Sequence, residues 1–408
     1  MTDRPTRADH IARVAVGVPF LALGLAVGSW LARLPEVKAG LGLDNGSLGL
    51  ALLASSAGAL FSMPMAGRLA PRLGAKRLAV ASSLGMCLIL PVIPAAGSVA
   101  ALVAALAAYG ATTGVMGVTV NSLAVQVEGR IGRPILSSFH ALFSLGCLVG
   151  AFVASWLVEA RVGPVESLAG TSALLALALG AASFGMPDAP ARAPEKARAR
   201  PRRELVILGG LAFLGFVGEG SMGDWGAIYL EEILGTTKAV AALGFAAYSL
   251  GMTAGRFGGD WLARVLGDER LLRAGATLST LGLIGALASR QPLVATAGFA
   301  LVGLGLANAV PILFRAASRV PGVEPVAGIA MASTIGYFGF LVGPPAIGKV
   351  AQVSSLPAAL GLVAASIAVV AIGGGIVRSF AQPAKASRET RPIGFGELDV
   401  PILPTAEV

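Results

Sequence analysis

The chain has 408 residues, of which 55% are hydrophobic and only 13% are charged. A soluble domain carries about 25% charged residues, so this composition excludes a protein that hides its apolar surface in a water-surrounded core. The formal net charge is +9. The basic residues stand in short connectors without interleaved aromatic residues, which argues against a nucleic-acid partner. The composition predicts a polytopic membrane protein with lipid as its solvent.

Taken in chain order, the sequence predicts twelve apolar spans, each long enough to cross a hydrocarbon core of about 30 Å. Leu, Ala and Gly run through every span, whereas strands of an outer-membrane barrel alternate over roughly 10 residues. The fold class is therefore predicted to be an all-α membrane protein with twelve transmembrane helices. The predicted spans are residues 11–32, 45–66, 77–97, 99–124, 134–158, 167–186, 205–230, 238–258, 270–289, 292–314, 326–348 and 354–377.

The connectors predict the orientation, because cytoplasmic connectors carry an excess of Lys and Arg. Most of the 31 Lys and Arg residues lie in the connectors that would share one side with the N-terminus. We therefore expect a multi-pass protein of the cytoplasmic (inner) cell membrane with both termini in the cytoplasm. The exceptions, on the opposite side, are Arg33, Lys38, Arg161, Lys238, Arg290 and Lys349.

The longest internal connector predicts two domains. Residues 187–204 are rich in proline and basic residues and lack apolar periodicity, which is typical of a linker. The linker would join a six-helix bundle over residues 1–186 to a second over 205–378. Residues 379–408 lack a sustained apolar run and are predicted to form a disordered cytoplasmic tail.

Two landmarks recur at a spacing of about 190 residues. Gly67-Arg68 after the second span is repeated as Gly255-Arg256 at the end of the eighth. The glycine pair of Gly146–Gly150 in the fifth span is repeated in Gly339–Gly343 in the eleventh. Six spans per repeat keep both copies in the same orientation, so we expect two parallel six-helix repeats.

The loop after the second span resembles the signature of the major facilitator superfamily, in which glycine and an acidic residue precede a basic run. The resemblance covers roughly residues 11–378 and implies a role for this loop in conformational switching. The residues that would form this switch are Gly67, Arg68, Arg72, Gly255, Arg256 and Asp260. The chain departs from the signature at Pro71, where the family has an acid, whereas Asp260 keeps the acid in the second copy. The open alternative is a positive-inside anchor with glycines at helix ends.

Three further stretches resemble the YbjJ-type subgroup of that superfamily, which is similar to the fucose-permease branch. They are Gly28–Glu36 (GSWLARLPE), Gly218–Trp225 (GEGSMGDW) and Gly336–Pro345 (GYFGFLVGPP). The resemblance implies a transporter without assigning a substrate. The first span has no acid here, so the proton-coupling scheme of the fucose permeases does not carry over.

Glu219 and Asp224 are the acids that the prediction places inside a span. A charge at the centre of a transmembrane helix costs about 2.5–3.5 kcal/mol on insertion scales, so such residues usually face a cavity or a partner. We interpret Glu219 as a proton-coupling residue, with a structural acid between helices as the alternative. Asp224 and Arg33 stand at equivalent ends of their spans. They are interpreted as a gate pair, with two snorkelling interfacial charges as the alternative.

Uncharged polar residues complete the predicted cavity. Asn121 and Asn308 recur near the repeat spacing and suit hydrogen bonding to a polar substrate, or alternatively to a neighbouring helix. His140 is the histidine inside a span and is a second candidate for proton coupling, with packing as the alternative. Tyr248 and Tyr337 are candidates for stacking on a substrate or for packing in the core.

No catalytic, metal-ligating or phosphate-binding pattern is visible in the sequence, so we expect no enzyme, no metal and no cofactor. The sequence favours a secondary active transporter of a small molecule that works by alternating access with protons as the coupling partner. A sugar-like importer and a drug or metabolite exporter that works as a proton antiporter both remain open. A non-transporting membrane sensor or scaffold is the alternative of another class. Membrane lipid and a small-molecule substrate are the expected partners, and a monomer suffices.

Overall fold

The computed structural model describes residues 6–132, 135–188, 202–323 and 325–380, and the described residues contain helices and no strand. Residues 189–201 of the predicted linker lie outside these residues, as does the predicted tail beyond Phe380. The helices are α1 (Arg7–Ala32), α2 (Leu34–Gly40), α3 (Asn45–Leu73), α4 (Ala75–Ile89), α5 (Val99–Ile131), α6 (Leu136–Glu159), α7 (Pro164–Ser183), α8 (Arg203–Ile228), α9 (Lys238–Leu266), α10 (Asp268–Ser289), α11 (Pro292–Leu306), α12 (Ala309–Ala317), α13 (Pro325–Val353) and α14 (Leu356–Gly373).

Local hydrogen bonds explain where several helices begin. The side chain of Asp44 accepts the N–H of Ser47 at 2.7 Å and so caps the N-terminus of α3. The same hydrogen bond holds the pKa of the Asp44 carboxyl below its usual range. Thr237 caps α9 in the same way through the N–H of Val240.

Among the described residues, eleven helical segments are long and apolar enough to cross a membrane. They match eleven of the twelve predicted spans. The missing one is α9, which has 29 residues but includes polar positions from Lys238 to Arg256 and beyond. Length and composition therefore fit a multi-pass membrane protein, and the described residues are all-helical.

Two predicted loops are helical. The helix α3 continues through Gly67, Arg68 and Arg72 and ends only at Gly74, whose φ of +89° favours glycine. In the same way α9 continues to Leu266, and Gly267 with a φ of +79° separates it from α10. The connectors at these two places are thus reduced to single glycines, which corrects the loop prediction.

Glycines bring pairs of helices into backbone contact. Gly24 and Gly28 of α1 lie against the backbone of Phe143 and Cys147 in α6, where a side chain would overlap the α6 backbone. The α3–α5 contact is built similarly, with Gly110 of α5 against Ser55. In the rest of the chain, α8 packs on α13 and α9 packs on α11. These close pairs form the rigid walls of the bundle.

Two antiparallel contacts join the first half of the chain (α1–α7) to the second half (α8–α14). In one, α3 packs on α13. Ser56 donates to the carbonyl of Phe340, and further along the contact Asp44 accepts from Gln352 at 2.9 Å. In the other, α6 packs on α9, and Ser155 donates to the carbonyl of Ala239. Both contacts extend to the end of the bundle that contains α2, which we call the α2 end.

Candidate functional site

A cavity of about 480 Å³ lies between the two halves. Residues of α1, α3, α5 and α6 line it from the first half, and residues of α8, α9 and α13 line it from the second. Cavities of about 300–1,000 Å³ hold small organic molecules. The cavity is therefore the candidate site, and its charged residues indicate what it can do.

An ion pair stands in the wall of this cavity. The guanidinium of Arg256 on α9 lies 3.4 Å from Oε1 of Glu219 on α8, and both side chains are 22% exposed. The same guanidinium donates to Oγ of Ser144 on α6 at 2.6 Å. Arg256 thus connects an acid of the second half to a hydroxyl of the first half.

Asp224 also lines the cavity, on the same helix as Glu219. Five residues separate the two acids, or about 7.5 Å along the helix axis toward the α2 end. Among the described residues, no side chain or backbone group forms an ion pair or a hydrogen bond with the Asp224 carboxylate. The two acids consequently differ in kind, since one has a fixed cation and the other has none.

Four other predicted site residues reach the cavity. His140 meets the ring of Phe20 edge-on at 5.4 Å, and Asn121 donates to the Gly117 carbonyl of its own helix at 2.8 Å. Tyr248 and Tyr337 line the second half of the wall; Tyr337 stacks on an α8 phenylalanine with ring centroids 5.1 Å apart. The structure brings these four side chains together with both acids.

The cavity also contains polar residues that the sequence analysis did not select. Tyr109, Ser144 and Ser249 line it, and each is at least nine-tenths buried. The hydroxyls of Tyr109, Tyr248 and Ser249 have no hydrogen-bond partner. The helical spacing of four between His140 and Ser144 would have placed Ser144 on a polar face. A single serine or tyrosine in an apolar span, such as Tyr109 or Ser249, does not by itself indicate that the residue faces a cavity.

Asn308 does not line the cavity, contrary to the prediction. It stands in a break between α11 and α12, which divides the predicted span 292–314, and its Nδ2 donates to the carbonyl of Gly255 at 2.8 Å. Because α9 approaches so closely here, the Asn308 amide is used in helix packing. The matched spacing with Asn121 therefore did not produce a matched location.

Arg33 does not pair with Asp224 in this conformation. Arg33 is completely buried, and its Nη1 donates to Glu36 at 2.7 Å. The halves are instead joined at the α2 end by Lys38 with Glu232 at 2.5 Å, and by Lys238 with Glu36 at 4.0 Å. Arg33 and Asp224 therefore do not form the predicted pair, and the ion pairs that do join the halves stand at the same end of the bundle as Arg33.

The residues of the predicted switch loop separate into two groups. Gly67, Arg68 and Arg72 lie on α3 away from the cavity, and both arginines are exposed. Gly255 packs against Leu304 and Ala307 beside the second-half wall, and Arg256 enters the cavity. The side chain of Asp260 lies outside the described residues. The Lys and Arg pattern places Arg256 in a connector, whereas α9 continues past it to Leu266.

Comparisons with known proteins agree with this architecture. Residues 20–225 match the sequence profile described as Major Facilitator Superfamily. An uncharacterised MFS-type transporter of Yersinia pestis is 36% identical over 360 residues, which cover 88% of this chain and 94% of that protein. The membrane protein MosC of Rhizobium meliloti is 32% identical over 364 residues, with 88% and 87% covered. A crystal structure of the nucleoside transporter NupG is 14% identical with a TM-score of 0.73, and the match covers 90% of this chain and 99% of that one.

Proposed function

Since this chain belongs to the major facilitator superfamily and is a membrane transporter rather than an enzyme, we propose that it is a secondary active transporter that moves a small molecule by alternating access. The observation that carries the proposal is the cavity between the two halves, in which Arg256 of one half holds both Glu219 and Ser144. Such a site can change its exposure when the halves move relative to each other.

The proposed architecture has twelve spans in two parallel six-helix repeats, over residues 1–186 and 205–378. The recurrence of helix contacts supports it: α1 packs on α6 as α8 packs on α13, and α3 packs on α5 as α9 packs on α11. In this scheme α9 is a full span that borders the cavity, which accounts for its polar positions. A monomer provides both halves of the site.

The proposed orientation has both termini in the cytoplasm of a cell whose inner membrane holds the protein. It rests on the distribution of Lys and Arg in the connectors. The α2 end then faces outward, and its ion pairs Lys38–Glu232 and Lys238–Glu36 hold the halves together on that side. The conformation described here is accordingly proposed to be closed to the outside.

Proton coupling is assigned to Glu219. An ionised Glu219 attracts Arg256, whereas a protonated Glu219 leaves the guanidinium free for Ser144 or for the substrate. The other titratable groups in the cavity wall are His140 from α6, Asp224 on the same helix, Tyr109 and Cys147 from the first half, and Tyr248 and Tyr337 from the second. Protonation drives the conformational change only if the proton binds to the two states of the transporter with different affinities.

The substrate of this transporter is proposed to be a polar metabolite. The resemblance to the YbjJ-type subgroup and the fucose-permease branch favours a sugar-like importer, and the similarity to NupG, named as a nucleoside transporter, is compatible with it. Export by proton antiport is the second candidate, because the same cavity serves either direction. A non-transporting sensor or scaffold is the alternative that the experiment below separates from both.

The test is uptake by the full-length protein in reconstituted vesicles, using a panel of sugars, nucleosides and amino compounds with and without an imposed pH gradient. We expect the gradient to raise accumulation of one substrate several-fold in the wild type. Glu219→Gln should still bind this substrate but lose the effect of the gradient. The control is Glu159→Gln, the same substitution at the exposed end of α6, which should behave as wild type.

Three outcomes separate the alternatives. A pH dependence that is unchanged in Glu219→Gln contradicts the assigned proton role. Accumulation of the substrate only when the imposed pH gradient is inverted identifies an exporter. A wild-type protein that binds compounds of the panel without moving any of them supports the sensor.

A further inference from the structure

The charges of the cavity do not balance. Arg256 and Glu219 neutralise each other at 3.4 Å, and Asp224 adds a second acid. We propose that the cavity binds substrates that carry a protonated amine, and that Asp224 is the counter-charge for this amine. The inference rests on the proposed function, since it names the chemical class of substrate for the same cavity.

Asp224 has no partner in the described part of the protein. Among the described residues its carboxylate has no ion pair and no hydrogen bond, although it lines a largely apolar cavity. A carboxylate removed from bulk water is costly unless a cation or several donors compensate it. The described residues offer no such group, so either a proton or a cationic group that enters the cavity has to compensate the charge.

Aromatic residues belong to the same cavity wall as Asp224. The neighbouring Gly223 lies where α1 and α9 approach α8, since a side-chain carbon there would stand 2.8 Å from Leu31 and 3.5 Å from the ring of Phe245. Phe245 and Trp30 both line the cavity. Aromatic faces attract cations, most strongly when water is excluded. An acid and two aromatic rings that line the same cavity suit an ammonium group.

Three unpaired hydroxyls add an observation that is independent of charge. The hydroxyls of Tyr109, Tyr248 and Ser249 belong to residues that line the cavity, and they are buried without a hydrogen-bond partner. Buried polar atoms are nearly always hydrogen-bonded in proteins. In this conformation the three oxygens are closed off from solvent, so polar groups of a bound molecule would meet them only after the side chains turn into the cavity.

An anionic substrate fits the site less well. Arg256 is the guanidinium in the wall and already holds Glu219 and Ser144. A carboxylate or phosphate would have to displace Glu219 and would also bring a third negative charge near Asp224. An amine approaches Asp224 without breaking any contact that the structure contains.

The experiment is equilibrium binding to the purified full-length protein with matched ligand pairs that differ in one amine. The probes are glucosamine against glucose, tyramine against tyrosol, and 4-amino-1-butanol against 1,4-butanediol. We expect the amine of at least one pair to bind at least about 10-fold more tightly than its hydroxyl counterpart. Acetylation of that amine, which removes its charge, should abolish the preference in the wild-type protein.

Variants of Asp224 locate the effect. Asp224→Asn should reduce the preference for the amine to about one, and Asp224→Glu should keep most of it because the charge remains. Glu159→Gln, far from the cavity, should leave the preference unchanged. If Asp224→Asn does not fold, the acetylated ligand and Asp224→Glu still decide the matter.

The proposal is overturned if no amine of the panel binds better than its counterpart, or if the acetylated ligand binds as well as the amine. It is also overturned if Asp224→Asn folds and keeps the preference. The amine would then bind without the help of the wild-type Asp224 carboxylate. Binding is measured without a membrane or a gradient, so a failure of transport leaves this result intact. A neutral substrate that is transported with proton coupling would defeat this inference alone.

Discussion

Arg256 shows how much the role of one residue depends on where its helix ends. Gly255 and Arg256 lie in a stretch whose pattern is typical of a membrane connector. In the structure, however, Arg256 is part of α9 and contacts Glu219 and Ser144 in the cavity wall. A guanidinium with two donors in different directions can hold two partners at once, which a lysine ammonium does less well. At this scale the chemistry of the cavity depends on three side chains from three helices.

Substitution of Arg256 should therefore affect stability as well as transport. Arg256→Gln leaves the Glu219 charge without its partner, and we expect a loss of about 1–3 kcal/mol of stability, seen as a lower unfolding temperature in detergent. The double variant with Glu219→Gln should recover part of this loss because the unpaired charge is gone.

The matched control is Arg273→Gln, which removes an exposed arginine that lies 3.4 Å from Glu269 one helical turn away. Exposed pairs of this kind contribute about 0–1 kcal/mol. Equal effects of the two arginine substitutions would contradict the structural role of Arg256.

At the scale of helices, the contact between α1 and α6 combines aromatic packing around Phe20 with glycines that bring the two backbones together. A methyl group at Gly28 would stand 2.9 Å from the Cα of Cys147 and closer still to its carbonyl oxygen, and a backbone cannot move aside as a side chain can. Gly180 on α7 has open space around it. Identical chemistry at these two positions therefore tests the packing directly.

We expect Gly28→Ala to destabilise the protein by about 1–3 kcal/mol, because overpacking forces the helices apart. Gly180→Ala should be neutral or stabilise by up to about 1 kcal/mol, since alanine is the better helix former. Thermal unfolding of both variants in the same detergent is the measurement. A Gly28→Ala protein as stable as wild type would show that α1 and α6 are less tightly packed than the structure indicates.

At the scale of the whole molecule, the two halves meet through α3 with α13 and α6 with α9. Alternating access requires these contacts to open at the α2 end. The side chains of Asp44 and Gln352 are exposed there and lie 2.9 Å apart across the halves. A covalent link between these positions should hold the halves in the conformation described here.

The prediction uses a variant with Cys87→Ser and Cys147→Ser, to which Asp44→Cys and Gln352→Cys are added. A membrane-impermeant bifunctional thiol reagent on intact cells should link the two new cysteines and abolish transport. When the reagent contains a disulfide, reduction of that disulfide should restore transport. Each single cysteine is the control and should keep its activity. Transport that continues through the link would contradict alternating access, and linking only in inverted vesicles would reverse the proposed orientation.

Composition and hydropathy alone predicted the all-helical membrane architecture, since a chain in lipid must satisfy every backbone hydrogen bond within its own helices. The resemblance near Gly67 and Gly255 predicted the family. Glu219 and Asp224 were also accessible to sequence reasoning, because an acid in an apolar span is costly and calls for a cavity or a partner.

Only the tertiary structure decided which of these acids has a partner. Arg256 is 37 residues from Glu219 and 112 from Ser144 in the chain, and no local pattern reports how two helices are rotated and shifted against each other. For the same reason, the sequence did not show that Asn308 lies outside the cavity or that Arg33 pairs with Glu36 and not with Asp224. Local sequence determines whether a helix crosses the membrane, whereas the packing of helices determines which side chains meet.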